Sequence, residues 1–214
     1  MTKNQQHGKR FEDIVKGSSF FRGASDSARS STASFDVEAK FDRTLGIPTS
    51  IKSGKGRGVA LSDARRFWAI NQEFRLLFGR YRQKGDEKEF YEIHEFILSP
   101  TALANLRGAL TAPQIGAFHT GLSLTNFPRG KHPEARAWAR QEKSKLKQYV
   151  TCIALNPKID SKGQRRLQCS VPVQSLIDVT NSGTTYFKHT DSFGDIKLPI
   201  TLISSPREFV KGQR

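Results

Sequence analysis

The apolar positions of this chain change their period several times, and each change marks an expected element. Phe11, Ile14 and Val15 recur at helical spacing and predict a short helix over residues 6–17. Residues 23–34 (GASDSARSSTAS) are small and polar, the composition of a surface loop. In FDVEAKF the period drops to two: Phe35, Val37, Ala39 and Phe41 alternate with Asp36, Glu38 and Lys40. That pattern predicts a strand with one apolar and one charged face. Residues 43–46 can turn the chain into IPTSIKS, a second strand, so the two are expected to form a hairpin.

SGKGRG reads as a basic loop, and Ser62 as the N-cap of a helix beginning at Asp63. RLLFGRY and EFYEIHEFIL are two further strands joined across QKGDEK. Ser99-Pro100 opens a helix, since proline suits a first helical turn. Another charged helix is expected over residues 133–149. Beyond it VTCIAL, RRLQCSV and LPITLIS read as short strands between loops. The order predicts an α/β or α+β fold with a central mixed β-sheet flanked by helices. The length of 214 residues fits one domain, with a catalytic core at about 6–100 and accessory elements at about 100–214.

Charge narrows the class of partner. Lys and Arg total 35 against 20 Asp and Glu, a net charge of +15, which suits a polyanion better than a neutral metabolite. Anionic membrane surfaces and acidic proteins share that preference. No stretch reaches the roughly 20 apolar residues that span a bilayer, and MTKNQQHGKRFED lacks the apolar run of a secretory signal. Cys152 and Cys169 lie in apolar runs, as buried small side chains do, and no Cys/His set has zinc-finger spacing. A reducing, cytoplasmic setting is the expectation.

The stretch between Glu12 and Asp63 holds the candidate chemistry. Phosphodiester hydrolysis calls for a divalent cation that neutralises phosphate charge and activates water. Hard Mg²⁺ takes one or two protein carboxylates, with water and phosphate completing its shell. A lysine beside them can stabilise developing negative charge. Asp36 and Glu38 are two apart in one expected strand and Ser50 and Lys52 two apart in the next, so each pair shares a face. Taken singly, each of these residues is more often a solvated strand face or a helix-end charge; their joint order and spacing favour chemistry.

GKRFEDIV, SFDV and SIKS together resemble the PD-(D/E)XK nuclease superfamily over about the first 80 residues. The resemblance implies a restriction endonuclease-like core with Glu12 as a helical acid, Asp36 as the first strand acid and Lys52 as the catalytic lysine. One departure matters: Ser50 stands where the middle acid of Asp/Glu-x-Lys belongs. Asp63 is the first candidate to replace it as a metal ligand, and Glu38 the second. A second register takes Asp26 as the first acid with Glu38-Ala39-Lys40 as a complete Glu-x-Lys. The implied activity is Mg²⁺-dependent cleavage of double-stranded DNA by a type II restriction enzyme. A structure-specific or repair nuclease of the same superfamily, or a non-catalytic basic DNA-binding protein, are the alternatives. A homodimer is left open.

Several basic and amide side chains are candidates for DNA contact. Lys55, Arg57, Arg65 and Arg66 surround the proposed site in sequence and suit phosphates. Gln164, Arg165, Arg166 and Gln168, in SKGQRRLQC, carry side chains that can read base edges, and serve equally well as soluble charges at a β-turn. The histidines are scattered without ligand spacing, and His94 reads as a strand residue.

Overall fold

A computed structural model describes residues 3–23, 35–149, 152–181 and 186–203. The contacts divide the chain into two units. The first combines residues 1–56, 74–97 and 186–214; the second combines 57–73 and 98–185.

The first unit is built on a five-stranded mixed sheet. Its strands are β1 (Thr49–Gly54), β3 (Phe74–Lys84), β4 (Glu87–Leu98), β7 (Tyr186–His189) and β10 (Ile200–Ile203). β1 runs parallel to β3, pairing Lys52 with Phe78. β3 and β4 are neighbours joined by a two-residue turn at Gly85 and Asp86, which is shorter than the loop expected across QKGDEK. The outer edge of β4 is shared by two short antiparallel strands. β10 covers residues 87–90 and β7 covers residues 93–96.

Helix α1 (Lys3–Lys16) lies on this sheet and ends at Gly17, whose N–H bonds back to Asp13. Phe11 and Val15, one helical turn apart, are fully buried beside Ile51, Leu77, Phe90 and Ile93. The Phe11 ring sits directly over Gly79 of β3, where any side chain would collide with it. Burying a phenylalanine of this kind stabilises a fold by about 1.5–3 kcal/mol.

The strand expected over FDVEAKF does not form. Val37 makes one antiparallel bridge to Thr49, and residues 39–41 then close a single 3₁₀ turn. Asp42, the next residue, draws the chain away: it reaches Arg75, with Nη1 2.9 Å from its Oδ2. Its backbone bridges Phe21 instead. The charged residues at 38 and 40 pair with each other at the surface.

The second unit carries a three-stranded antiparallel sheet in the order β2 (Gly58–Asp63), β6 (Arg165–Pro172), β5 (Ala154–Ile159). Its helices are α2 (Ala64–Ala69), α3 (Pro100–Arg107), α4 (Ala112–Gly121), α5 (His132–Leu146) and α6 (Val173–Asn181). Ser99 caps α3 with Pro100 in its first turn, as expected. A reciprocal Thr111–Gln114 capping box starts α4, and α4 and α6 are helices the apolar pattern did not announce. Ser62 is not the cap of α2. Its φ of 75° departs from the extended conformation a cap adopts, and Asp63 takes the role, accepting from Arg66 N. The remaining β8 (Ser192–Phe193) and β9 (Ile196–Lys197) form a small hairpin in the first unit. The chain is thus of mixed α+β class, with a mixed sheet and flanking helices. No helix among the described residues is long and apolar enough to cross a membrane.

Candidate active site

The Val37–Thr49 bridge aligns Asp36 with the start of β1, and the local sequence does the rest. Ser50 and Lys52 point to one face of β1 while Ile51 points to the α1 core. Three donors from this short run meet Asp36 Oδ2: Ile51 N–H at 2.7 Å, Lys52 Nζ at 2.9 Å and Ser50 Oγ at 3.2 Å. Asp36 Oδ1 has no such donor among the described residues. Burial alone would raise the Asp36 pKa. The Lys52 charge and hydrogen bond, with the Ile51 N–H, outweigh burial and hold the carboxyl below its ordinary value. Asp36 is therefore an ionised carboxylate whose Oδ2 is held by three donors.

Glu12, on α1, joins this group through Lys16. The two side chains pair one helical turn apart, and Lys16, nearly buried, also acts on Asp36 through its charge. Lys16 is a residue the sequence reading missed. Its signal was the i, i+4 spacing from Glu12, which looks the same in any solvated helix. The fold thus gathers Glu12, Lys16, Asp36, Ser50 and Lys52 in one unit.

Other expected residues have contacts of their own. Glu38 is exposed and pairs with Lys40 at 2.9 Å in the 3₁₀ turn, so these two do not share a strand face with Asp36. Asp26, which the second register requires, falls outside the described residues, as does Ser34. Asp63 belongs to the second unit, where its carboxylate accepts from Arg66 N at 3.2 Å. Lys55 and Arg57 are exposed between β1 and β2, and Arg65 and Arg66 are exposed on α2.

In β6 the candidate contacts Arg165, Arg166 and Gln168 separate by strand alternation. Arg166 is exposed and Gln168 half-buried on one face, opposite Lys158 and Asn156 of β5. Arg165 faces inward, and its guanidinium donates to the backbone carbonyls of Phe127, Pro128, Asp160 and Gln164. That commitment makes Arg165 a buried clasp, which corrects its reading as a DNA contact. Gln164 closes the adjoining turn through its N–H to Asp160 Oδ1.

A second polar cluster occupies β3, β4 and β7 of the first unit. Glu92 contacts Arg80 at 2.7 Å, Lys188 at 2.9 Å and His94 Nε2 at 3.0 Å. Burial opposes its ionisation, but these three partners win and pull its pKa down to about 2. Burial pushes the His94 pKa down, so the ring is neutral near pH 7. It donates from Nε2 to Glu92 and accepts at Nδ1 from the Tyr186 hydroxyl at 2.9 Å. His94 is a strand residue, as expected, but a polar one in a connected network.

The Asp36 group suits a hard cation to a stated extent. Asp36 is an ionised carboxylate, and Glu12, engaged by Lys16, is the carboxylate linked to it through that lysine; carboxylate oxygens are the donors that hard Mg²⁺ takes. No group of three or more His, Cys, Asp or Glu is gathered among the described residues. Comparisons with protein-family models, curated proteins and solved structures return no match.

Proposed function

We propose that the chain is a Mg²⁺-dependent endonuclease of the PD-(D/E)XK kind that hydrolyses double-stranded DNA, as a sequence-specific type II restriction enzyme does. The observation that carries this reading is the convergence of Ser50, Ile51 and Lys52 on one oxygen of Asp36. The other oxygen of Asp36 and the carboxylate of Glu12 would hold the cation, which when bound neutralises phosphate charge and acidifies water. The chain's own residues supply the rest. Lys52 keeps an ammonium group where negative charge develops during attack on phosphorus, and Asp36 fixes that ammonium in place. Ser50 and the Ile51 N–H lock the Asp36 rotamer. The net charge of +15 draws the polyanionic substrate.

The test is digestion of phage DNA with Mg²⁺, reading for discrete fragments. Wild-type protein yields bands; Asp36→Ala and Lys52→Ala each lose about a hundredfold or more in rate while still binding duplex in Ca²⁺. Full activity in either variant removes the site, and intact DNA with wild-type protein removes the activity.

A further inference from the structure

Beyond the nuclease site, the second unit carries a trough between helix α5 and strand β5. Two cavities, of about 480 and 280 Å³, share Arg140 and Lys143 as their common wall. Arg136 extends the basic wall at one end and Lys147 at the other. The floor is apolar, formed by Leu146, Ile153 and Leu155 in the larger cavity. No carboxylate lines either cavity among the described residues. The two glutamates of α5 are engaged elsewhere, Glu134 by Lys131 and Glu142 by Lys145. All four cations are exposed, and no salt bridge to a carboxylate is formed by any of them among the described residues.

We propose that this trough is a docking site for the sugar–phosphate backbone of one strand of duplex DNA. This inference rests on the reading of the chain as a DNA-acting protein. Helical rise spreads Arg136 to Lys147 over about 16 Å, close to the axial length of five nucleotides at about 3.4 Å each. The cations meet the phosphates while the apolar floor receives the carbon faces of the deoxyriboses. Arg136 is pre-positioned, since its guanidinium is tied to Ile159 O at 3.0 Å across the trough. No aromatic side chain lines the trough among the described residues, so unpaired bases would find no stacking platform. That favours a paired strand over a single one. An acidic peptide satisfies the charge, and the polyglutamate arm of the test separates it from duplex DNA.

The test uses the full chain in Ca²⁺ with a short fluorescent duplex, oligo-dT and polyglutamate as probes. The triple variant R140Q/K143Q/K147Q is compared with K40Q/K131Q/K145Q, an equal loss of charge at cations that are already ion-paired. The trough variant lowers the log–log salt slope of duplex binding by about 2.7, three phosphates at about 0.9 each, and the control lowers it by less than about 1. Cys152, on the trough wall, is a built-in reporter that requires no substitution. Bound duplex slows its reaction with a maleimide severalfold, while Cys169 stays silent because burial pushes its thiol up to about 12. Equal slope changes in both variants, or Cys152 left unshielded by duplex, overturn the assignment. So does shielding by oligo-dT or polyglutamate at lower concentration than duplex. Wild-type protein that binds and cuts DNA without shielding Cys152 defeats this inference alone. Wild-type protein that binds no duplex defeats the nuclease reading as well.

Discussion

Asp36–Lys52 and Arg75–Asp42–Glu95 are both acid–base groups anchored on the same five-stranded sheet, and their surroundings differ. Arg75 is 1% exposed, with Nη1 2.9 Å from Asp42 and Nε 2.8 Å from Glu95. These approaches are close but poorly aligned for hydrogen bonding, so charge attraction dominates. Thr44 accepts from Nη2 at 2.5 Å, and His189 closes on the other oxygen of Glu95 at 2.9 Å. The Asp36 and Lys52 side chains keep 25% and 22% of their surface open. The sealed triad sets one guanidinium against two carboxylates, all three side chains nearly closed to solvent. The Asp36–Lys52 pair is only partly covered, so a ligand has access to it. Accessibility, more than residue type, separates a structural ion group from one that can do chemistry.

Substitutions at the two groups sharpen that contrast, and the largest effect belongs to the sealed one. Arg75→Ala strands two carboxylates away from water and costs about 3–5 kcal/mol of stability. Lys52→Ala, whose site is half open, costs less than about 1.5 kcal/mol while lowering cleavage about a hundredfold, equivalent to about 2.7 kcal/mol of barrier. Urea unfolding beside a cleavage assay reads both numbers. A Lys52→Ala protein as unstable as Arg75→Ala would erase the distinction.

The next effect is on titration. The folded-state Asp36 pKa lies below its ordinary 3.8. Its contribution to stability is therefore present above the unfolded value of about 3.9 and is lost as pH falls through the lower folded value. In Lys52→Met the burial penalty remains while the charge partner is gone, so the Asp36 carboxyl titrates higher than in the wild type. Carbon NMR of the carboxyl during acid titration measures the midpoint directly. An unchanged midpoint would mean that Lys52 does not set the charge state. Glu92, held at about 2 by Arg80, Lys188 and His94, serves as the internal control, since Lys52 is not among its partners.

The smallest effect concerns the second acid. Asp63→Ala removes a cap from α2 and costs about 0.5–2 kcal/mol, with a cleavage rate per folded molecule near wild type. Glu12→Gln removes the counter-charge of the nearly buried Lys16, costing about 1 kcal/mol, and lowers the rate about tenfold, because Glu12 is linked to Asp36 through Lys16. The reverse ranking in a Mg²⁺ titration would transfer the second acid to Asp63.

The legibility of this molecule in its sequence follows the range of the forces involved. Helix α1 and the Ser99 cap were readable because a few neighbouring residues determine them. So was the pairing of the Asp36 segment with β1, although it shrank to one bridge. The expected strand over FDVEAKF failed because Asp42 answers to Arg75, a partner 33 positions away that local periodicity does not encode. Glu92 and Tyr186 were invisible for the same reason, since their importance comes from neighbours on other strands, and Lys16 because its spacing from Glu12 looks like that of any solvated helix pair. Arg165 carried a misleading signal: its residue type suits DNA, but strand alternation turns it inward to four carbonyls. The parity of β6 needed only Leu167, Cys169 and Val171 to be read as the inner face.

The shared outer edge of β4 sets an order on the birth of the protein. As the chain leaves the ribosome, Glu12, Asp36, Lys52 and all of β3 and β4 emerge well before residues 186–203, which supply β7 and β10. Until those residues appear, β4 presents an unpaired edge along most of its length, and Glu92 and Glu95 wait for Lys188 and His189. The sheet that carries Lys52 is therefore finished only after residues 186–203 have emerged, so a chain cut short before them carries every proposed active-site residue on an unfinished platform.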